Sequence, residues 1–371
     1  MKSVKMGRDQ GITTQQAAVF IGNFILGVGI LTLPREAAEK VQTPDIWLSV
    51  ILGGLLAMLA GIILVKLGEH FPGQTFYEYS ESIVGKWLSQ IINLVVIVYF
   101  IATCGHVVRA LSEVTVLFLL EGTPRWAIIL SFMWVGLYLI LGGLSAIGRL
   151  FAIIFPITVL IFVIIAAMSL KIFDLDNLRP VLGLGLMPVL KGVRTTGLSF
   201  TGFEIMLILQ AYMLRPRQAA RAVVFGVSIP LLFYVTTVIM VIGALSVEGV
   251  VSRAWPMITL IRSFEFPGIF FERYESLMLV IWIMQIFATY VITHYAAAKG
   301  LAIMLKKELR PIQYVMIPIV FIVAMMPKNI NDLFQFADNI GNTGIVLFGA
   351  LPAVLLGIVK LRGGKRGQQA T

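Results

Sequence analysis

Two apolar runs, each interrupted by glycines, constrain this chain more than any other feature. The first reads Asn23-Phe24-Ile25-Leu26-Gly27-Val28-Gly29-Ile30-Leu31-Thr32-Leu33-Pro34, the second Gly197-Leu198-Ser199-Phe200-Thr201-Gly202-Phe203-Glu204. Within a bilayer the backbone N–H and C=O groups freed by such a break cannot face lipid. Breaks are tolerated there only where they are buried in protein or line a cavity. Two of them in corresponding positions point to a binding site for a small polar molecule.

Composition puts these runs in a membrane. The chain is 58% hydrophobic and 13% charged, about half the charge content of a soluble domain. Ten segments approach the roughly 20 residues that cross a hydrocarbon core: 12–33, 44–67, 87–109, 124–141, 144–170, 189–212, 218–245, 272–298, 310–326 and 335–359. The polar N-terminal residues show no short apolar stretch with a cleavage site, so no cleaved signal peptide is expected. The single cysteine, Cys104, has no partner for an internal disulfide.

The formal net charge is +10. The basic residues sit mostly at the ends of apolar runs and form no stripe interleaved with aromatics, which argues for membrane topology and against a nucleic-acid partner. A cytoplasmic N-terminus places seventeen of the 29 Lys+Arg on the inside and only five of the 19 Asp+Glu. The positive-inside rule therefore predicts both termini in the cytoplasm. Ten spans divide into 12–170 and 189–359, with five in each. An odd repeat inverts its second copy, which is the pattern of a transporter fold. Amphipathic connections, 71–86 and 246–271, precede the third span of each half. Within the second, Ser252 to Phe264 has helical apolar spacing but is too short and too charged to span. It is expected to lie across the outer mouth, as a cover for the site or as a plain interfacial helix.

Several residue groups carry candidate chemistry. Unwinding at Gly27 and Gly29 would present N–H groups suited to a carboxylate; alternatively, these glycines only permit close helix packing. Ser199 and Thr201 add hydroxyls at the second break, where free carbonyls would take an amino group or a cation. Glu204 follows at membrane depth, where a carboxylate is costly. It binds a substrate amine, carries a proton, or locks helices by hydrogen bonding. Span 3 carries Tyr99, Thr103, His106, Arg109 and Glu113 near helical spacing. Tyr99 and Thr103 are deep enough to line a cavity. Arg109 and Glu113 suit an ion pair, and His106 reads as an ordinary buried histidine or a proton relay. Span 8 carries Gln285, Thr289 and Thr293 on one face, as cavity lining or interhelical glue. The chain has no zinc-protease, nucleotide-loop or nucleophile-elbow motif. No enzyme chemistry, metal or cofactor is expected.

The run Leu26-Gly27-Val28-Gly29-Ile30-Leu31-Thr32-Leu33-Pro34-Arg35 resembles the signature of the spore germination permease-like proteins. These are the B subunits of GerA-type germinant receptors, in the amino acid/polyamine/organocation superfamily. Asn177-Leu178-Arg179-Pro180-Val181-Leu182-Gly183, Trp255-Pro256 and Ser263 to Arg273 look similar as well. The resemblance implies an all-α polytopic membrane protein of the LeuT type: ten transmembrane helices in a 5+5 inverted repeat, with helices 1 and 6 discontinuous. It also implies the inner membrane of a bacterial spore, a receptor A subunit and a lipoprotein C subunit as partners, and a small nutrient such as an amino acid as ligand. By that likeness the pocket falls at Gly27, Val28, Gly29, Ile30, Tyr99, Thr103, Ser199, Phe200, Thr201, Thr289 and Thr293. A proton-coupled amino-acid transporter remains the alternative reading, and an ion-conducting subunit a third.

Overall fold

The computed structural model describes residues 11–27, 29–264 and 275–368. Its helices follow the apolar runs. Among the described residues, six helical segments are long and apolar enough to cross a membrane. Four of them are α3 (Ile46–Gly68), α5 (Lys86–Phe118), α10 (Ala219–Val251) and α12 (Glu275–Leu305). The fifth is α7 (Gly143–Ser169), and the sixth joins α14 (Ile330–Gly344) to α15 (Leu351–Gln368). A seventh span is the bent pair α1 (Thr14–Ile25) and α2 (Gly29–Val41), whose axes differ by 55°. The shorter apolar helices α6 (Arg125–Leu141), α13 (Leu309–Met325) and α9 (Phe203–Tyr212) complete the set, with α8 (Met187–Leu198) leading into α9 across a break. All ten sequence-predicted segments coincide with one of these helices or broken helices.

Helix ends obey local chemistry. Thr13 and Gln16 form a capping box at α1, with the Gln16 N–H donating to Thr13 Oγ1 (3.2 Å) and the Thr13 N–H to Gln16 Oε1 (2.9 Å). Such boxes satisfy two orphan donors of the first turn. The first amphipathic connection becomes α4 (Phe76–Val84), capped by Thr75 and Glu78. The second becomes an extension of α10, kinked at Ser246, followed by α11 (Pro256–Arg262). The part of the Ser263 to Arg273 motif at 265–273 lies outside the described residues.

The broken helices meet at the centre. Gly202 has φ 145°, a conformation open to glycine and costly for other residues, and a Cβ there would lie 3.0 Å from the Ile25 backbone nitrogen. The end of α1 thus rests directly on the second break. At the N-terminal end of the molecule the chain is closed by backbone pairing. The Ile12 N–H donates to the Tyr212 carbonyl (2.8 Å), and the Leu214 N–H donates back to the Ile12 carbonyl (2.9 Å). The C-terminal span contains a π-helical turn, Ile345–Ala350, packed where Phe348 meets the ring of Tyr99 at 4.8 Å.

Gly202→Ala is expected to lower stability in detergent by about 1–3 kcal/mol through backbone strain alone. Thermal unfolding of the purified variant measures this, and an unchanged midpoint would contradict the close approach of the two breaks.

Candidate ligand cavity between the broken helices

The breaks release carbonyl groups, and side chains from two other helices take them up. Tyr234 of α10 donates its hydroxyl to the Ile25 carbonyl (2.5 Å). Thr289 of α12 donates to the Phe24 carbonyl (3.2 Å) while also meeting its own helix at Gln285 (3.0 Å). Gly29 explains its own identity here: a Cβ on it would collide with the Tyr234 hydroxyl. At the second break Glu204 is fully buried and accepts two hydrogen bonds. The Gly202 N–H donates to its Oε2 (2.5 Å), and the Tyr99 hydroxyl to its Oε1 (2.8 Å). Of the three roles the sequence left open for Glu204, this geometry is that of a lock joining α5 to the second break. The carboxylate does not reach the cavity wall.

Beside the breaks lies a cavity of about 120 Å³. At roughly 30 Å³ per water this is room for about four waters, and a cavity of about 150 Å³ takes up benzene, so the space suits a small organic molecule. Its wall includes Phe24, Ile25 and Gly29 from the first broken helix and Leu198, Ser199 and Thr201 from the second. Tyr99 and Thr103 of α5 and Thr289 of α12 face it as well. Toward α11 it is lined by Glu36, His106, Trp255, Phe334 and Asp338. Trp255 caps α11 and approaches Phe334 of α14 with 6.0 Å between ring centres. The segment expected to lie over the mouth therefore places an aromatic side chain in the cavity wall. Among the described residues no Lys or Arg lines the space, whereas two carboxylates do.

Six of the sequence-predicted positions come together on this wall: Gly29, Tyr99, Thr103, Ser199, Thr201 and Thr289. Val28 lies outside the described residues. The others pack behind the wall. Gly27 sits beneath Thr289, with a would-be Cβ 2.5 Å from Oγ1, and Ile30 is buried in the first turn of α2. Phe200 braces Tyr234 edge-on at 5.2 Å. Thr293 donates to the Thr289 carbonyl (2.6 Å) and touches the Cys104 sulfur (3.2 Å). Arg109 and Glu113 form the expected ion pair (2.9 Å), and Arg125 joins it from α6 at the same distance. These three pin α5 to α6, away from the cavity wall.

A family model described as spore germination protein matches residues 11–333. The chain belongs to this family. It is 55% identical to spore germination protein YndE of Bacillus subtilis (strain 168), across 96% of this chain and 98% of that protein. It is 38% identical to spore germination protein A2 of the same organism, across 95% and 96% of the two chains. The solved structure of MhsT in complex with L-phenylalanine matches with a TM-score of 0.69 over 96% of this chain and 99% of that one, at 12% identity. That likeness shows a shared LeuT-type fold, and with the apolar helices it makes this family member a multi-pass membrane protein.

Sequence reasoning missed Glu36, Trp255 and Asp338 as lining residues. The first span was ended at 33, before Pro34, yet α2 carries Pro34 internally and continues to Val41. Extending the helix would have placed Gly29, Thr32 and Glu36 on one face by their three- and four-residue spacing. His106 continues the Tyr99–Thr103 stripe and reaches the cavity.

Tyr99→Phe should keep the ring packing on Phe348 and lose the donor to Glu204. A loss of about 0.6–1.7 kcal/mol is expected, the range for interhelical hydrogen bonds in membranes. Unfolding of wild type, Tyr99→Phe, Glu204→Gln and the double variant measures the coupling; additive effects would remove the lock.

Proposed function

We propose that this family member is the nutrient-sensing subunit of a spore germination receptor, and that it binds an amino acid in the cavity between its broken helices. The observation that carries this reading is the shared wall: Gly29 from the first break and Ser199 and Thr201 from the second face one small space, with Tyr99, Thr103 and Thr289 around it. A ligand there touches both interrupted helices at once. It therefore binds one arrangement of them better than another and shifts the population toward that arrangement. A hundredfold shift needs only about 2.7 kcal/mol of differential affinity. No covalent step is required.

In this reading the protein sits in the inner membrane of the spore with both termini on the core side, and the cavity opens toward α11 on the outer side. The segments 12–170 and 189–359 act as the two inverted halves, hinged at the breaks. Occupancy is passed to an A subunit and a lipoprotein C subunit. The pairing of Ile12 with Tyr212 and Leu214 supports access from the α11 end only, because it ties the inner ends of both broken helices together.

A proton-coupled amino-acid transporter is the second reading, favoured by the LeuT-type cavity itself, since alternating access operates around such a site. It would need Glu204 or another buried acid to exchange protons; both oxygens of Glu204 are already engaged by Tyr99 and Gly202, which leaves Glu36 on the cavity wall as the other candidate. Uptake of labelled amino acids into proteoliposomes containing this chain alone separates the two. Binding without concentrative uptake is expected, and sustained accumulation would defeat the receptor reading.

Thermal-shift titration of the purified protein with single L-amino acids tests the cavity. One of them at a hundred times its dissociation constant should add about 2.7 kcal/mol. Gly29→Leu, whose side chain meets the Tyr234 hydroxyl and Ser199, should weaken that binding at least a hundredfold while the protein still inserts. Thr289→Ala should change the rank order of amino acids. An unchanged affinity in Gly29→Leu would place the ligand elsewhere.

A further inference from the structure

Hydrogen-bond accounting around the cavity is uneven. At the breaks most polar groups are already matched: the Phe24 and Ile25 carbonyls by Thr289 and Tyr234, the Gly202 N–H by Glu204, and the Thr201 hydroxyl by the Leu198 carbonyl (3.0 Å). At the α11 end they are not. Trp255 is 5% exposed, lines the cavity, and its indole N–H has no acceptor among the described residues. His106 is 8% exposed and lines the same space; its ring meets Phe336 edge-on, and it makes no hydrogen bond among the described residues.

Charge is uneven in the same sense. Glu36 is half-buried, with Thr32 one turn earlier as its hydroxyl partner. Asp338 stands at the mouth, one turn beyond Phe334. Neither carboxylate forms an ion pair among the described residues. The neighbouring cations are spent elsewhere: Arg35 on Glu39 (2.8 Å) and the face of Phe334 (5.5 Å), Arg194 on Asn342 (2.8 Å). A buried donor without an acceptor costs about 1–3 kcal/mol, and two carboxylates at a narrow mouth draw a cation. A ligand carrying an ammonium group and an acceptor oxygen answers both.

We propose that the cavity reads its amino acid from the α11 end: the ammonium lies between Glu36 and Asp338, a carboxylate oxygen accepts the Trp255 indole N–H, and the side chain points inward toward Gly29 and Thr289. This rests on the nutrient-pocket reading and deepens it. It reverses the orientation expected from the sequence, which set the carboxylate on amides at 27–30. Glu36 stands seven residues beyond Gly29, about 10 Å along the helix axis. An α-amino acid cannot span that distance with its two charged groups, so the choice is exclusive. The ligand class follows. Neutral and cationic amino acids bind, acidic ones are repelled, and deaminated acids are rejected. Trp255 also joins the ligand to α11, so occupancy holds that short helix over the mouth.

The test is equilibrium binding of the standard L-amino acids, with 4-methylpentanoate and isopentylamine as the deaminated and decarboxylated partners of L-leucine, and 3-phenylpropanoate and phenethylamine as those of L-phenylalanine. For an amino acid that binds wild type, Glu36→Gln/Asp338→Asn should weaken binding by about tenfold or more, the loss of a charge-assisted contact. Trp255→Phe keeps an aromatic ring against Phe334. It should weaken the amino acid about fivefold and leave the matching amine unchanged, because the amine carries no oxygen for the indole. Unliganded unfolding midpoints near wild type certify that each variant is folded; if Trp255→Phe fails that check, the acid pair and the probe series carry the test. A deaminated acid binding as tightly as its parent, or an acid-pair variant with wild-type affinity, overturns this inference and leaves the pocket standing. A wild type that binds none of the amino acids overturns both.

Discussion

Everything in this fold turns on backbone groups freed at membrane depth. Where α1 ends, the Phe24 carbonyl keeps a short-turn bond from the Gly27 N–H (3.3 Å), and lipid offers the carbonyls at the break no further partner. Thr289 and Tyr234 supply hydroxyls from α12 and α10. At the second break, the Gly202 N–H finds the Glu204 carboxylate, which Tyr99 holds in turn from α5. Helices far apart in sequence are thus tied to the two interruptions by single hydrogen bonds. The apolar faces determine that these helices pack; the breaks determine which helix stands where, because only certain neighbours carry a hydroxyl at the right depth.

The same requirement explains why a buried carboxylate is tolerated. Glu204 is fully enclosed, a placement that is expensive in a bilayer unless the group is paired or hydrogen-bonded. Two short donors meet that need without a cation. The arrangement joins the cavity wall to the helix behind it, since Tyr99 lines the cavity and holds Glu204 with one hydroxyl. A ligand that moves the Tyr99 ring therefore works directly on the second break.

Much of this was legible in the sequence, and the limits have physical causes. The spans were found because hydrophobic runs of bilayer length are a strong signal. The breaks were found because glycines interrupt two runs at corresponding places along the chain; a glycine pair alone does not suffice, since Gly53-Gly54 lies within continuous α3. Six cavity residues followed, Gly29, Ser199 and Thr201 from the breaks and Tyr99, Thr103 and Thr289 from helical spacing. Of the mouth, the Ser252 to Phe264 segment was expected, but the carboxylates of Glu36 and Asp338 were not, because they come from places where the membrane signal fades. Glu36 lies past a proline that the helix absorbs, and Asp338 lies in a half-polar helix, α14, whose start at Ile330 precedes the apolar stretch. Phe200 was assigned to the pocket by the family resemblance, and Thr293 by that resemblance and its place on the Gln285–Thr289 face. Their side chains turn instead toward Tyr234 and Cys104, a rotation about the helix axis that residue type does not reveal.

A cavity closed at one end by backbone pairing and lined at the other by unmatched polar groups is asymmetric in a useful way. Ile12 clamps Tyr212 and Leu214 by two backbone hydrogen bonds, and both must break for that end to open. Trp255 and Phe334 meet only through ring contact, which carries no directional bond to break. In the proposed reading the α11 end is the one that opens, and breaking that ring contact is part of the cost. A molecule that supplied the missing partners there would raise that cost and leave the clamp at the other end unchanged. That difference is what separates a sensor from a carrier on one fold: a carrier must make the two ends comparable in stability so that each opens in turn, whereas a sensor needs only one end to register occupancy.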